Sequence, residues 1–90
     1  MILETPYEMA LAAAGRFRKV RMTRKITIKE LSARSGVPYS TIRRFESMGE
    51  ISFLSLIKIV SALGEDQEIT GLFTETVPQS IEEVIRGNRK

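Results

Sequence analysis

An all-helical domain is what this 90-residue sequence predicts, and three observations carry the prediction. Helix formers such as Ala, Leu, Glu, Lys, Arg and Met are abundant, and no long alternation of strand period competes with them. Three segments open with a hydroxyl residue followed three positions later by Glu, the capping-box pattern of a helix start. Gly36, Gly49 and Gly64 stand where an apolar period stops, as glycines at helix ends do. With 42% hydrophobic and 28% charged residues the composition is that of an ordinary globular protein. The length allows one domain, expected over residues 1–74, with a C-terminal extension over 75–90.

Five helices and a tail follow in order. Helix 1, residues 6–22, starts at Thr5-Pro6-Tyr7-Glu8, where Pro6 lies in the first turn and its missing N–H is harmless. Gly15 weakens it by about 1 kcal/mol relative to Ala, so its first turns are expected to fray or pack specially. Helix 2, residues 28–35, starts at Thr27-Ile28-Lys29-Glu30. Gly36-Val37-Pro38 then joins it to helix 3, residues 39–47, a connection of the right length for a helix-turn-helix. A left-handed backbone at Gly36 reverses the chain, and Val37 plugs the angle beside Leu31 and Ile42. Ile42 and Phe45 face inward at three-residue spacing, leaving Tyr39, Ser40, Thr41, Arg43 and Arg44 outside.

Helix 4, residues 53–63, begins behind Ser52 and turns Phe53, Leu56, Ile59, Val60 and Leu63 toward the core. Leu54 and Ile57 fall on a second face, which either a partner chain covers or helix 5 and the tail cover within one chain. Helix 5 is expected over 66–73. A polar linker over 74–79, containing Pro78, leads to a short helix over 81–86, whose start carries the third capping box, Ser80-Ile81-Glu82-Glu83. Ile81, Val84 and Ile85 give that last helix one apolar face in need of a surface.

Charge is concentrated in the middle of the chain. Residues 16–44 hold ten cations, Arg16, Arg18, Lys19, Arg21, Arg24, Lys25, Lys29, Arg34, Arg43 and Arg44, against Glu30 alone, a net of +9. The flanks are acidic, −2 before this block and −4 after it. A local excess of this size attracts a polyanion. A protruding polar helix start within it is what reading the major groove requires.

Absent residues narrow the chemistry. There is no Cys and no His, which removes thiol nucleophiles, Ser-His-Asp relays, disulfides and zinc sites built on those ligands. No catalytic constellation is found, and neither enzyme activity, a metal nor a cofactor is expected. The first fifteen residues carry Glu4 and Glu8 and do not resemble a signal peptide. The apolar runs at 10–14 and 53–57 fall far short of the roughly 20 residues a membrane span needs. A cytoplasmic protein without membrane attachment is the expectation.

Over residues 16–63 the sequence resembles the Cro/phage-repressor type helix-turn-helix proteins, the XRE family. The resemblance rests on Phe17-x-x-x-Arg21, on Thr27-Ile28-Lys29-Glu30-Leu31-Ser32, on Gly36 through Glu46, and on Ser52-Phe53 through Ile59 to Ala62-Leu63-Gly64, with no gap in spacing. Departures are Ser32 where a small Ala is usual, Ile28 where a polar residue is common, and Pro38 and Tyr39 where small or polar residues stand.

The resemblance implies a compact five-helix, lambda-repressor-like fold that binds double-stranded DNA at a palindromic operator, without a cofactor. It makes Tyr39, Ser40, Arg43 and Arg44 the base readers, with Arg44 suited to donate two hydrogen bonds to a guanine. Lys25, Thr27, Lys29, Ser40 and Thr41 become backbone contacts, joined by the N–H groups around Ile28 at the start of helix 2. It also implies that Arg21 and Glu46 form a structural, partly buried ion pair that touches no base. A transcriptional regulator, a homodimeric repressor in particular, is the leading expectation, with Leu54, Ile57, Ile69, Leu72 and Phe73 at the dimer interface. The alternatives are an antitoxin that represses its own operon and binds a toxin, and a protein-interaction module without DNA binding.

Overall fold

In a computed structural model, which describes residues 4–74, side-chain caps set most of the helix starts. The elements are α1 (Pro6–Thr23), α2 (Ile28–Ser35), α3 (Tyr39–Met48), α4 (Phe53–Ala62) and α5 (Asp66–Thr70). Thr5 Oγ1 accepts from the Glu8 N–H at 3.1 Å while the Glu8 carboxylate accepts from the Thr5 N–H at 2.9 Å. Thr27 and Glu30 repeat the reciprocal pair at 3.0 and 3.1 Å. Ser52 Oγ accepts from the Ser55 N–H at 3.1 Å and opens α4. These bonds satisfy N–H groups that a helix start otherwise leaves orphaned. The third box, at Ser80 and Glu83, and the helix expected over 81–86 lie outside the described residues.

The core gathers around Leu31, Val37, Ile42 and Ile59, all but fully enclosed, together with Ala14, Ile26, Phe45 and Leu63. Helix α1 packs on α3, α2 packs on both α3 and α4, and α5 packs on α4. Phe17 of α1 meets Phe45 of α3 edge to face, with ring centres 5.4 Å apart, the arrangement the ring quadrupoles favour. Gly49, which ends α3 at φ 74°, lies so close to α1 that a Cβ there would stand 2.9 Å from the carbonyl carbon of Ala10. Both the left-handed backbone and the close approach require glycine.

Three expectations are corrected. Helix α1 runs unbroken through Gly15, and nothing packs where a Gly15 side chain would stand. Phe53 is 56% exposed rather than buried in the core, because the first turn of α4 borders an open groove beside α1. Helix α5 stops at Thr70, short of residue 73, since Phe73 adopts φ 61°, a left-handed backbone no α-helix can include. Among the described residues there is no strand, and no helix is long and apolar enough to cross a membrane.

Candidate nucleic-acid interface

Helix α3 is presented by a tight turn in which the Gly36 N–H and both backbone polar groups of the buried Val37 are hydrogen-bonded. Gly36 takes φ 77°, and its N–H donates to the Ser32 carbonyl at 2.9 Å. Val37 is buried between the two helices, and both of its backbone polar groups find side chains. Its N–H donates to Ser35 Oγ at 3.1 Å, and its carbonyl accepts from Ser32 Oγ at 2.6 Å. Burying an amide without partners costs about 1–3 kcal/mol, so Ser32 stabilises the turn in a way the Ala usual at that position cannot. Nothing in the sequence pattern pointed to this role.

The rear of α3 is held by packing and by one ion pair. Ile42 and Phe45 are buried. The Arg21 guanidinium donates from Nε to Glu46 Oε2 at 2.7 Å and from Nη2 to Glu46 Oε1 at 2.8 Å. Its remaining nitrogen, Nη1, donates to the Ile26 carbonyl at 2.8 Å. Side-chain exposures of 10% for Arg21 and 5% for Glu46 make this a buried, two-pronged contact. Hydrogen bonding to Glu46 raises the Arg21 guanidinium above its already high ordinary pKa, against the opposing effect of burial. Arg21 therefore stays cationic, and the one residue ties α1, the α1–α2 loop and α3 together. A more exposed Arg18 lies 3.9 Å from the same carboxylate.

The front of α3 faces water. Tyr39, Ser40, Arg43 and Arg44 are exposed, whereas Thr41 is half-buried. Arg44 donates from Nη2 to Glu50 Oε1 at 2.7 Å across an exposed ion pair. Such pairs are worth about 0–1 kcal/mol, so the guanidinium leaves Glu50 readily. Pro38 stands at the α3 N-cap without a side-chain hydrogen bond, while its carbonyl accepts from the Thr41 and Ile42 N–H groups. No side chain therefore closes the N-terminus of α3, and its positive dipole end stays open to an anion.

The start of α2 is different. The Glu30 carboxylate folds back onto the Thr27 N–H there, and those bonds hold its pKa below the ordinary carboxylate value. A negative group thus already occupies part of the position proposed for a phosphate. Lys25, Thr27 and Lys29 are exposed nearby, with Lys25 in a left-handed backbone at φ 57°. Ile28 packs its half-buried side chain against the core, which leaves only its backbone for a DNA contact.

Not all of the basic block is unpaired surface charge. Arg24 donates to the Leu63 carbonyl at the end of α4 and pairs with Glu65, so it stabilises the α4–α5 junction instead of serving as a loose surface cation. Arg16 lines the groove between α1 and α4. Lys19, Lys25, Lys29, Arg34 and Arg43 make no ion pair among the described residues. In the less basic part of the chain after α3, Leu54, Leu72 and Phe73 are exposed, at 62%, 41% and 87%, while Ile57 and Ile69 are half-buried.

No curated protein matches the chain. The family model described as helix-turn-helix does match, over residues 17–66. That span runs from Phe17 of α1 through the turn and the exposed α3 to the first residue of α5, and it covers more than half of the 90 residues. The chain therefore belongs to the XRE-type helix-turn-helix family of DNA-binding regulators.

Proposed function

We propose that the protein is a sequence-specific transcriptional repressor that acts in the cytoplasm and binds a palindromic operator as a homodimer. The single observation behind this reading is the exposed start of α3, polar in front and fixed from behind by Ile42, Phe45 and the Arg21–Glu46 pair. Tyr39, Ser40, Arg43 and Arg44 read base edges, and Arg44 exchanges Glu50 for a guanine. Lys25, Thr27, Lys29 and Thr41 position the duplex through its phosphates, with the Ile28 amide beside them. One recognition helix reads only a few base pairs, and a two-fold dimer with half-sites about 34 Å apart doubles that information. Leu54, Ile57, Ile69, Leu72 and Phe73 form the dimer face, supported by the exposure of three of them.

A gel-shift titration against the protein's own upstream DNA, repeated over a range of salt, tests the reading. Each neutralised phosphate contributes about 0.9 to the slope of log K against log salt, so a specific dimer gives a slope of several units. A slope near zero, or equal affinity for random DNA, would sink it.

A further inference from the structure

Helices α1 and α4 do not close on each other. Between them lies an open groove of about 620 Å³, flanked by Ala10, Ala13 and Phe17 on α1 and by Phe53, Leu56 and Val60 on α4. The two alanines leave one wall short of side chain, and Phe53, which lines the groove, leaves more than half of its surface exposed. The rim carries both signs of charge, Arg16 at α1 and, at the α5 end, Glu68 beside a Glu65 already paired with Arg24. An apolar trough of this kind on a small domain marks a place where another protein segment sits.

We propose that the occupant is residues 80–86 of the same chain, docked as a short amphipathic helix with Ile81, Val84 and Ile85 in the groove. Their spacing places all three on one helical face, and Ser80 with Glu83 supplies a start signal for such a helix. The segment carries Glu82 and Glu83 at its head and Arg86 at its end, so it matches a rim of mixed sign. A polyanion or an anionic surface would meet Glu65 and Glu68 instead. Reach also fits. Glu68 on the rim is only six residues before Thr74, the last described position. Residues 75–79 span up to about 17 Å when extended, and residues 80–86 as a helix cover about 10 Å. The inference does not depend on which bases α3 reads.

The chain has no cysteine, which makes disulfide trapping in the full-length protein clean. Ala13→Cys, at an exposed groove position, is combined with Val84→Cys. The control combines Val84→Cys with Ser61→Cys, an exposed α4 position outside the groove. Under mild oxidation the groove pair is expected to close within one chain at least ten-fold faster than the control, giving a cross-linked species of monomer mass. Equal rates in the two pairs overturn the proposal, as does trapping mainly as a covalent dimer, which puts the segment in the groove of a second copy. Ile81→Asp with Ile85→Asp gives an independent readout, an expected several-fold rise in binding of a dye for apolar surface. Unchanged dye binding also overturns it.

Discussion

Helices α3 and α4 are each ten residues long, and each buries two side chains, Ile42 and Phe45 on one and Ile59 and Val60 on the other. Their first turns differ in the chemistry they expose. α3 shows Tyr39, Ser40, Arg43 and Arg44 with Met48 at its end, whereas α4 shows Phe53 and Leu54 in its first turn and Lys58 and Ser61 further on. On the proposed reading, this difference in exposure gives the two helices different tasks. A polar helix start suits a hydrated polyanion, which it meets through hydrogen bonds and charge. An apolar helix face is stable in water only when protein covers it. On the proposed reading the same fold offers one side to DNA and another to polypeptide.

The largest expected effect comes from cutting the support of α3. Glu46→Ala leaves Arg21 buried without its partner, and such a loss costs about 3–5 kcal/mol. Thermal denaturation should show a large drop in melting temperature, and an unchanged value would mean that α3 is anchored by packing alone. Next comes a pair of surface changes that should separate the two helices. Arg44→Ala is expected to weaken operator binding by about 1–3 kcal/mol and relax preference at one base pair, with stability held within about 0.5 kcal/mol. Leu54→Asp should instead shift sedimentation equilibrium toward monomer. If Leu54→Asp left assembly untouched while Arg44→Ala dissociated the dimer, the assignment of faces would be reversed.

The smallest effect concerns acid. Hydrogen bonds from Thr5 and Thr27 hold Glu8 and Glu30 below the ordinary carboxylate pKa in the folded chain. The folded state thus binds fewer protons than the unfolded one as pH falls below about 5. Stability from the two boxes is fully present above that range and drains away as pH drops through the folded-state values. With no histidine in the chain, melting temperature should stay nearly flat from about pH 6 to pH 8. Glu30→Gln keeps the reciprocal bond but does not titrate, so it should show a smaller acid loss than the parent. An equal loss would place the acid sensitivity elsewhere.

Local rules were enough for much of the fold. Thr5, Thr27 and Ser52 announce helix starts through bonds to residues three positions away, and Gly36 announces the turn through backbone geometry alone. The exposed positions of α3 follow from the inward spacing of Ile42 and Phe45. What stayed hidden depends on distant partners. Arg24 reads as one more cation in a basic run, yet it reaches a carbonyl 39 residues on. Phe53 shares the period of the α4 core face, but α1 does not come close enough to bury it. The pairing of Arg44 with Glu50 depends on how the α3–α4 loop turns, and no helical spacing encodes that.

The hold on α3 from behind carries a consequence for evolution and for engineering. Arg21 meets Glu46 and the Ile26 carbonyl with three nitrogens, and none of those contacts involves Tyr39, Ser40, Arg43 or Arg44. On the proposed reading, foldability and target choice are thereby written largely in separate letters. Ser40 and Arg44 stand clear of the frame beneath them, whereas Tyr39 acts electrostatically on Arg21 and Arg43 lines the same pocket as Arg21 and Glu46. On that reading, lineages carrying this frame are expected to move from one operator to another through a few surface substitutions while keeping the buried Arg21–Glu46 hold. A randomised library at the same four positions offers a laboratory version of that walk.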